Sequence, residues 1–234
     1  MKSKPWLPYV APMGIYMAFL LVQTNANLLW LYPVKTLAVA AALWFFRKEY
    51  EELRSPMIGR KITAPTPGPS AGGELSAPAL QSWIFAVMIG LVAIAIWIGI
   101  DSFYPKFAQA TPFDPTTIAS AAQRNMFIVF RVVGAVIVVP LMEELFWRAF
   151  LIRWLINENF KSVPVGAFTW LSFAVTVALF GAEHAEWLAG LICGALYNGL
   201  YYRRKDVVSC VVAHAVSNAA LAAWVLSRGD WKFW

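Results

Sequence analysis

Three short stretches set polar residues of a chemically useful kind inside apolar sequence. The run VVPLMEELFWRAFLIRWLI holds Glu143, Glu144 and Arg148. A charge at the centre of a membrane helix costs roughly 2.5–3.5 kcal/mol on insertion scales, so each needs a partner or a task. Glu144 and Arg148 are four residues apart and share a helical face on which they can pair. Glu143 points about 100° away from its neighbour. That spacing predicts a structural Glu144–Arg148 pair and leaves Glu143 to face a cavity, where a carboxylate beside an imidazole can act as a base. The plainer alternative places all three charges at the membrane interface as anchors of a helix end.

The chain contains two histidines, His184 in VALFGAEHAEW and His214 in SCVVAHAVSNAAL. Phe180 lies one helical turn before His184 and can shield its imidazole from lipid, while Glu183 and Glu186 are close enough in sequence to orient the ring. His214 and Asn218 are four apart and present two hydrogen-bond donors from one face, an arrangement suited to a developing oxyanion. A single His or Asn in a membrane helix more commonly bonds a neighbouring helix, and that reading stands beside the catalytic one.

Taken together, EELFWR, FGAEH and HAVSN reproduce the ordered pattern EExxxR, FxxxH, HxxxN. In this the chain resembles the CAAX prenyl endopeptidase and bacteriocin-processing (CPBP, or Abi) family of intramembrane proteases, the relatives of type II CAAX proteases. The motifs run from Glu143 to Asn218; the first 120 residues match only as generic membrane spans. The resemblance implies a polytopic helical fold around a water-filled cavity, in which Glu143 and His184 activate a water. It also implies that His214 and Asn218 stabilise the oxyanion and that Glu144, Arg148 and Phe180 support the site. The expected activity is a glutamic-type intramembrane endopeptidase acting on a membrane-associated peptide or protein. No motif reports a prenyl-binding groove.

Other chemistries compete with this one. Glu143, His184 and His214 offer a carboxylate and two imidazoles, a common zinc set, so a zinc-dependent metalloprotease is an alternative. Against it, there is no HExxH and the fourth partner is an Asn, a poor zinc ligand. No cofactor is expected. The GPSAG of Gly68–Gly72 matches the GxSxG nucleophile pattern but lies in a Pro/Gly-rich loop rather than a strand-to-helix turn. A non-catalytic immunity or assembly factor on the same fold would use the polar cluster as interhelical glue. A transporter would carry an internal repeat with paired broken helices, and none is present. Arg131, in an apolar run, has no role assigned by sequence: pairing with Glu183 or Glu186 and snorkelling both remain open.

The elements that must position these groups are membrane helices. Of 234 residues 60% are hydrophobic and 14% charged, with a mean hydropathy of +0.60 and twelve Trp, which excludes an ordinary soluble domain. The net charge of +6 comes from Lys and Arg at the ends of apolar runs, a topology signal rather than a nucleic-acid surface. Cys193 and Cys210 show no disulfide or zinc spacing. Apolar runs at 6–22, 28–46, 81–100, 125–142, 165–182, 187–202 and 207–226 predict an all-α bundle of about seven spans, with 141–156 a possible eighth. The bundle is read as one membrane domain, 1–234, with a solvated Pro/Gly-rich cytoplasmic loop at 47–80 and a catalytic core at 124–226. Positive-inside counting gives a cytoplasmic N-terminus, and a compact chain with short loops suits a bacterial inner membrane. The first run, despite following Lys2 and Lys4, contains Pro8 and Pro12 and is read as a retained span. Oligomeric state is open.

Straight alternation sets a problem, because it leaves Glu143 near the inner face and His184 near the outer. One water can serve both only if the backbone between them departs from simple crossings, with Pro140, Pro164 and the Gly181 region as the candidate breaks. The expectation is therefore one concave pocket holding Glu143, His184, His214 and Asn218, with Phe180 and Trp147 near its wall and the 54–80 loop well outside it.

Overall fold

The structure is a computed structural model and describes residues 4–54, 77–107 and 112–234. Among the described residues there are helices and connections but no strand. In chain order the long helices are α1 (Leu7–Val22), α2 (Leu28–Phe45), α3 (Ala77–Gly99), α4 (Ala121–Ile156), α5 (Trp170–Ala182), α6 (Trp187–Arg204) and α7 (Val208–Arg228). Three of them, α2, α4 and α7, are long and apolar enough to cross a membrane, while α1, α5 and Trp83–Gly99 of α3 are shorter apolar helices. The protein is an integral membrane protein, and its surface shows why. Leu21, Leu37, Trp44, Ile84, Val129, Ile137 and Trp170 are exposed, whereas Lys35, Glu144, Arg148 and Asn198 are buried. That inverts the usual distribution and suits a lipid solvent.

Helix α4 differs from the expected pair of spans. Residues 125–142 and 141–156 are one continuous helix, so there is no separate eighth element and Pro140 does not break the chain. Two π-helical stretches, Gly134–Val138 and Leu145–Leu151, flank the short α-helical turn that carries the two glutamates. A proline inside a helix removes one donor and crowds the preceding turn. The wider π turn accommodates this without a break. At 1.5 Å per residue the 36 residues of α4 span about 54 Å, well beyond the roughly 30 Å hydrocarbon core.

The departure from straight crossings falls in the Gly181 region, at 183–186, as one of the three candidate breaks anticipates. Thr169 caps α5 by accepting from the Ser172 N–H, so the helix starts later than the apolar run at 165–182 does and ends at Ala182. Thirteen residues make only about 20 Å of helix, short of a full crossing. The four-residue link then feeds α6, which packs along α5. The two helices meet closely at glycine, since a Cβ on Gly190 would stand 3.0 Å from the Gly181 Cα. Small residues permit such approach where lipid supplies no hydrophobic drive.

Elsewhere α3 lies along α7, α1 along α2, and α4 touches α1, α2, α5 and α7 at the centre of the bundle. At the α3–α7 crossing, a Cβ on Gly90 would collide with the Ala213 carbonyl oxygen, directly before His214. Gly90→Ala is therefore expected to lower stability by about 1–3 kcal/mol, as overpacking does. Gly14→Ala, at a position with nothing within 4 Å, should melt at or above the parental temperature in detergent. Equal melting of the two variants would mean the crossing is looser than described.

The beginning of the expected solvated loop is also more ordered than its composition implies. Tyr50 is buried and donates to the Pro8 carbonyl, and Glu52 pairs with Arg153 and accepts from the Tyr9 hydroxyl. Helix α3 already starts at Ala77. The rest of that loop, with the GPSAG of Gly68–Gly72, lies outside the described residues.

Candidate functional site

The paired charges on α4 meet as their spacing requires. Arg148 Nη1 donates to Glu144 Oε1 at 3.2 Å, Nη2 reaches the Gly194 carbonyl at 3.4 Å, and both side chains are essentially fully buried. The Arg148 guanidinium also lies over the Phe180 and Tyr197 rings, at 4.9 and 5.6 Å. The same Glu144 oxygen stands 2.9 Å from His214 Nδ1. An ionised carboxylate only accepts, so Nδ1 is the donor and Nε2 is the nitrogen left for other work. Glu144 thus both pairs with Arg148 and orients His214, a second task that helical spacing does not reveal. Tyr197 stacks on the His214 ring at 5.3 Å and 24°, and its hydroxyl meets Ser217 Oγ at 2.7 Å. Ser217 donates in turn to the His214 carbonyl.

Asn218 is held by the irregularity around Pro140. The Val139 N–H bonds back five residues to the Gly134 carbonyl, as a π turn does. Pro140 has no N–H to offer, so the Ala135 carbonyl loses both of its usual helical donors. Asn218 Nδ2 donates to that oxygen at 2.8 Å. One amide proton therefore ties α7 to α4, as the interhelical reading of this residue anticipates. A primary amide carries a second N–H.

His184 lies just beyond the end of α5, where the last helical carbonyls need donors. The Glu183 N–H bonds to Leu179 O, the His184 N–H to Gly181 O, and His184 Nδ1 to Phe180 O at 2.7 Å. A carbonyl cannot donate, so Nδ1 carries the proton and the neutral ring presents its lone pair at Nε2. The orienting group is thus the Phe180 carbonyl, not the carboxylate expected of Glu183, whose oxygen is 3.9 Å from Nδ1 and beyond hydrogen-bond reach. The Phe180 ring contacts both histidines, 5.0 Å from His184 and 6.2 Å from His214, so it packs against two imidazoles rather than shielding one. Trp97 of α3 packs edge-on against His184 at 5.2 Å and 79°.

Glu143, His184, His214 and Asn218 all line one cavity of about 310 Å³. Glu143 Oε2 is buried and accepts no hydrogen bond from the described residues. Phe180 is in the wall and Trp147 lies near it, one layer behind, against Phe180 at 5.9 Å. Glu144 and Arg148 support the wall from outside the lining. Among the described residues no three His, Cys, Asp or Glu side chains gather closely enough to hold one metal ion. Cys193 and Cys210 are free thiols, buried in the bundle.

The first hundred residues contribute more than generic spans, since Tyr16, Tyr32, Lys35 and Trp97 form part of the cavity wall. Sequence reasoning passed over these four. A lone lysine inside an apolar span was the available signal for Lys35; the aromatic residues had none among so many. Arg131 also lines the cavity. Its guanidinium lies over the Tyr32 and Trp234 rings at 4.8 and 5.5 Å, a setting neither snorkelling nor carboxylate pairing anticipates.

Residues 125–220 match the family described as type II CAAX prenyl endopeptidase Rce1-like. The matched segment contains every residue of the motif set, and the family so described is one of membrane proteases. No curated protein and no solved structure matches the chain.

Proposed function

From the premise that this chain carries a type II CAAX prenyl endopeptidase domain across residues 125–220, we propose that it is a glutamic-type intramembrane endopeptidase whose catalytic residues are Glu143, His184, His214 and Asn218. One observation carries the reading. All four residues line a single cavity, and both histidines have Nδ1 engaged by an acceptor, leaving Nε2 for chemistry. In the reaction, a water polarised by Glu143 and the His184 Nε2 lone pair loses a proton to Glu143 and adds to the peptide carbonyl carbon. The oxyanion accepts from the second Asn218 N–H and from the Nε2–H of His214, which enters and leaves the reaction as an imidazolium whose Nδ1–H donates to Glu144. The C–N bond then breaks as the proton taken by Glu143 passes to the leaving amine, yielding an amine and a carboxylic acid, whose proton is then lost to solvent. Glu144, Arg148 and Phe180 position the histidines. The catalytic core is 124–226, within one membrane domain that crosses the bilayer about seven times with its N-terminus in the cytoplasm.

The test is incubation of purified protein, in detergent or bilayers, with a peptide library alongside Glu143→Ala. Cleavage that disappears in the variant is expected; no Glu143-dependent cleavage would leave the enzyme reading without support. Because water activation is assigned to side chains, a chelator that strips zinc from a known metalloprotease should leave the rate within about twofold. Loss of activity together with stoichiometric zinc would transfer the mechanism to the metal. A non-catalytic role has one observation in its favour, the Asn218 bond to the Ala135 carbonyl, which is interhelical glue. Under that role Asn218→Ala would loosen the fold and change no rate.

A further inference from the structure

The cavity contains two cations that the proposed reaction does not use. Lys35 is 2% exposed, and its Nζ donates to Gln23 Oε1 at 2.8 Å while lying over the Tyr16 and Tyr32 rings at 4.7 and 4.4 Å. Arg131 lies over the other reach of the same Tyr32 ring. Among the described residues the buried cations besides Lys35 are Arg148 and Arg153, each met by a carboxylate, while Arg131 is half-buried. Lys35 and Arg131 make no ion pair among the described residues. Ring faces offset part of a buried charge, about 0.5–2 kcal/mol each, whereas desolvation costs several kcal/mol per ion. Such contacts also leave the guanidinium N–H donors uncommitted, and those suit two oxygens at once. Two cations thus share one aromatic ring at the cavity, with no carboxylate of the described residues within ion-pair distance although Glu143 and Glu186 line the same cavity.

We propose that Lys35 and Arg131 form an anion subsite that takes a carboxylate of the bound peptide, either its C-terminal group or an Asp or Glu side chain. The proposal rests on the protease reading, which makes a peptide the ligand. Depth favours a peptide over a lipid phosphate. Lys35 lies seven residues into α2, roughly 10 Å from the nearer helix end, while phosphates occupy the headgroup layer beyond the helix ends. A peptide held there is also anchored within the cavity that contains Glu143, so binding energy from a remote group serves orientation at the reacting bond.

The subsite can be tested without turnover, in the full-length Glu143→Gln protein. The probe is an N-acylated Ala/Leu hexapeptide in four forms: free acid, C-terminal amide, amide with one internal Asp, and amide with Asn there. Charge-assisted bonds of this kind should give a preference of about tenfold or more for a carboxylate form over its neutral twin. Free acid over amide identifies a C-terminal source; Asp over Asn identifies a side chain. In Lys35→Met/Arg131→Met on the same background the preference should fall to about twofold or less, and Lys35→Arg should restore most of what Lys35→Met removes. Lys35→Met should melt no lower than its parent, because it removes a buried charge that has no counter-ion. A clear fall would mean Lys35 is a structural link to Gln23. Equal binding of charged and neutral forms would overturn the subsite while leaving Glu143-dependent cleavage untouched. Failure of every form to bind, with no cleavage by the unmodified enzyme, would remove both readings. If the double variant instead copurifies with less anionic lipid, and the peptide preference is absent, the occupant is a lipid phosphate and the proposal is wrong.

Discussion

Glu143→Gln is expected to lower turnover by about 10²–10⁴-fold, the usual contribution of a positioned general base, with no loss of melting temperature. The two halves of this result have separate causes. Glutamine keeps the shape of the side chain and cannot take a proton from water. Glu143 Oε2 receives no hydrogen bond from the described residues, so no packing contact is lost with its charge. Because Glu143 and His184 are assigned to the same water, Glu143→Gln/His184→Ala should be little slower than the worse single variant, as for groups that act as a unit. Steady-state rates with a peptide found by library cleavage, beside melting curves in the same detergent, measure both. A variant that cleaves at the parental rate, or loses activity only in step with unfolding, would take Glu143 out of the reaction.

Replacement of Glu144 should give the largest loss of stability. Glu144→Leu leaves Arg148 as a fully buried cation without its carboxylate, a change that costs about 3–5 kcal/mol where one partner of a buried pair is removed. Low yield and a depressed melting temperature are expected. Glu144→Gln keeps an acceptor oxygen and should lose less stability, yet it weakens the hold on the His214 Nδ1 proton and should also slow turnover. Glu144→Leu/Arg148→Met separates the two tasks. Removing both charges should recover much of the stability, since a buried pair replaced by apolar residues is often neutral. Activity should stay low, because His214 still lacks its acceptor. Recovery of both stability and rate in the double variant would show that Glu144 serves Arg148 alone.

The residues of the site were legible because a bilayer makes them conspicuous. A charged or imidazole side chain in apolar sequence has few reasons to be there, and four-residue spacing joins Glu144 to Arg148 and His214 to Asn218 on common faces. The helical class was equally legible, since lipid leaves the backbone no partner but itself. The individual hydrogen bonds were another matter. His184 takes its orientation from a backbone carbonyl at a helix end, and nothing in the identity of Phe180 announces that its carbonyl is available. Asn218 bonds a carbonyl left over by Pro140 and a π turn; the proline was visible, but whether a helix breaks or widens around it depends on the neighbours that pack against it.

By itself, then, the sequence determined an all-helical membrane protein, the polar set from Glu143 to Asn218, and the pairing of Glu144 with Arg148, all of which follow from local period and solvent cost. Only the tertiary structure decided that α4 continues through Pro140, that the turn at 183–186 brings His184 into the cavity with Glu143, and that Lys35 and Arg131 share one aromatic wall with no counter-ion among the described residues. The reason is range. Helix period acts between residues three or four apart, whereas the cavity is made by all seven long helices, α1 to α7, meeting across more than a hundred residues of chain, and no local pattern specifies which faces meet.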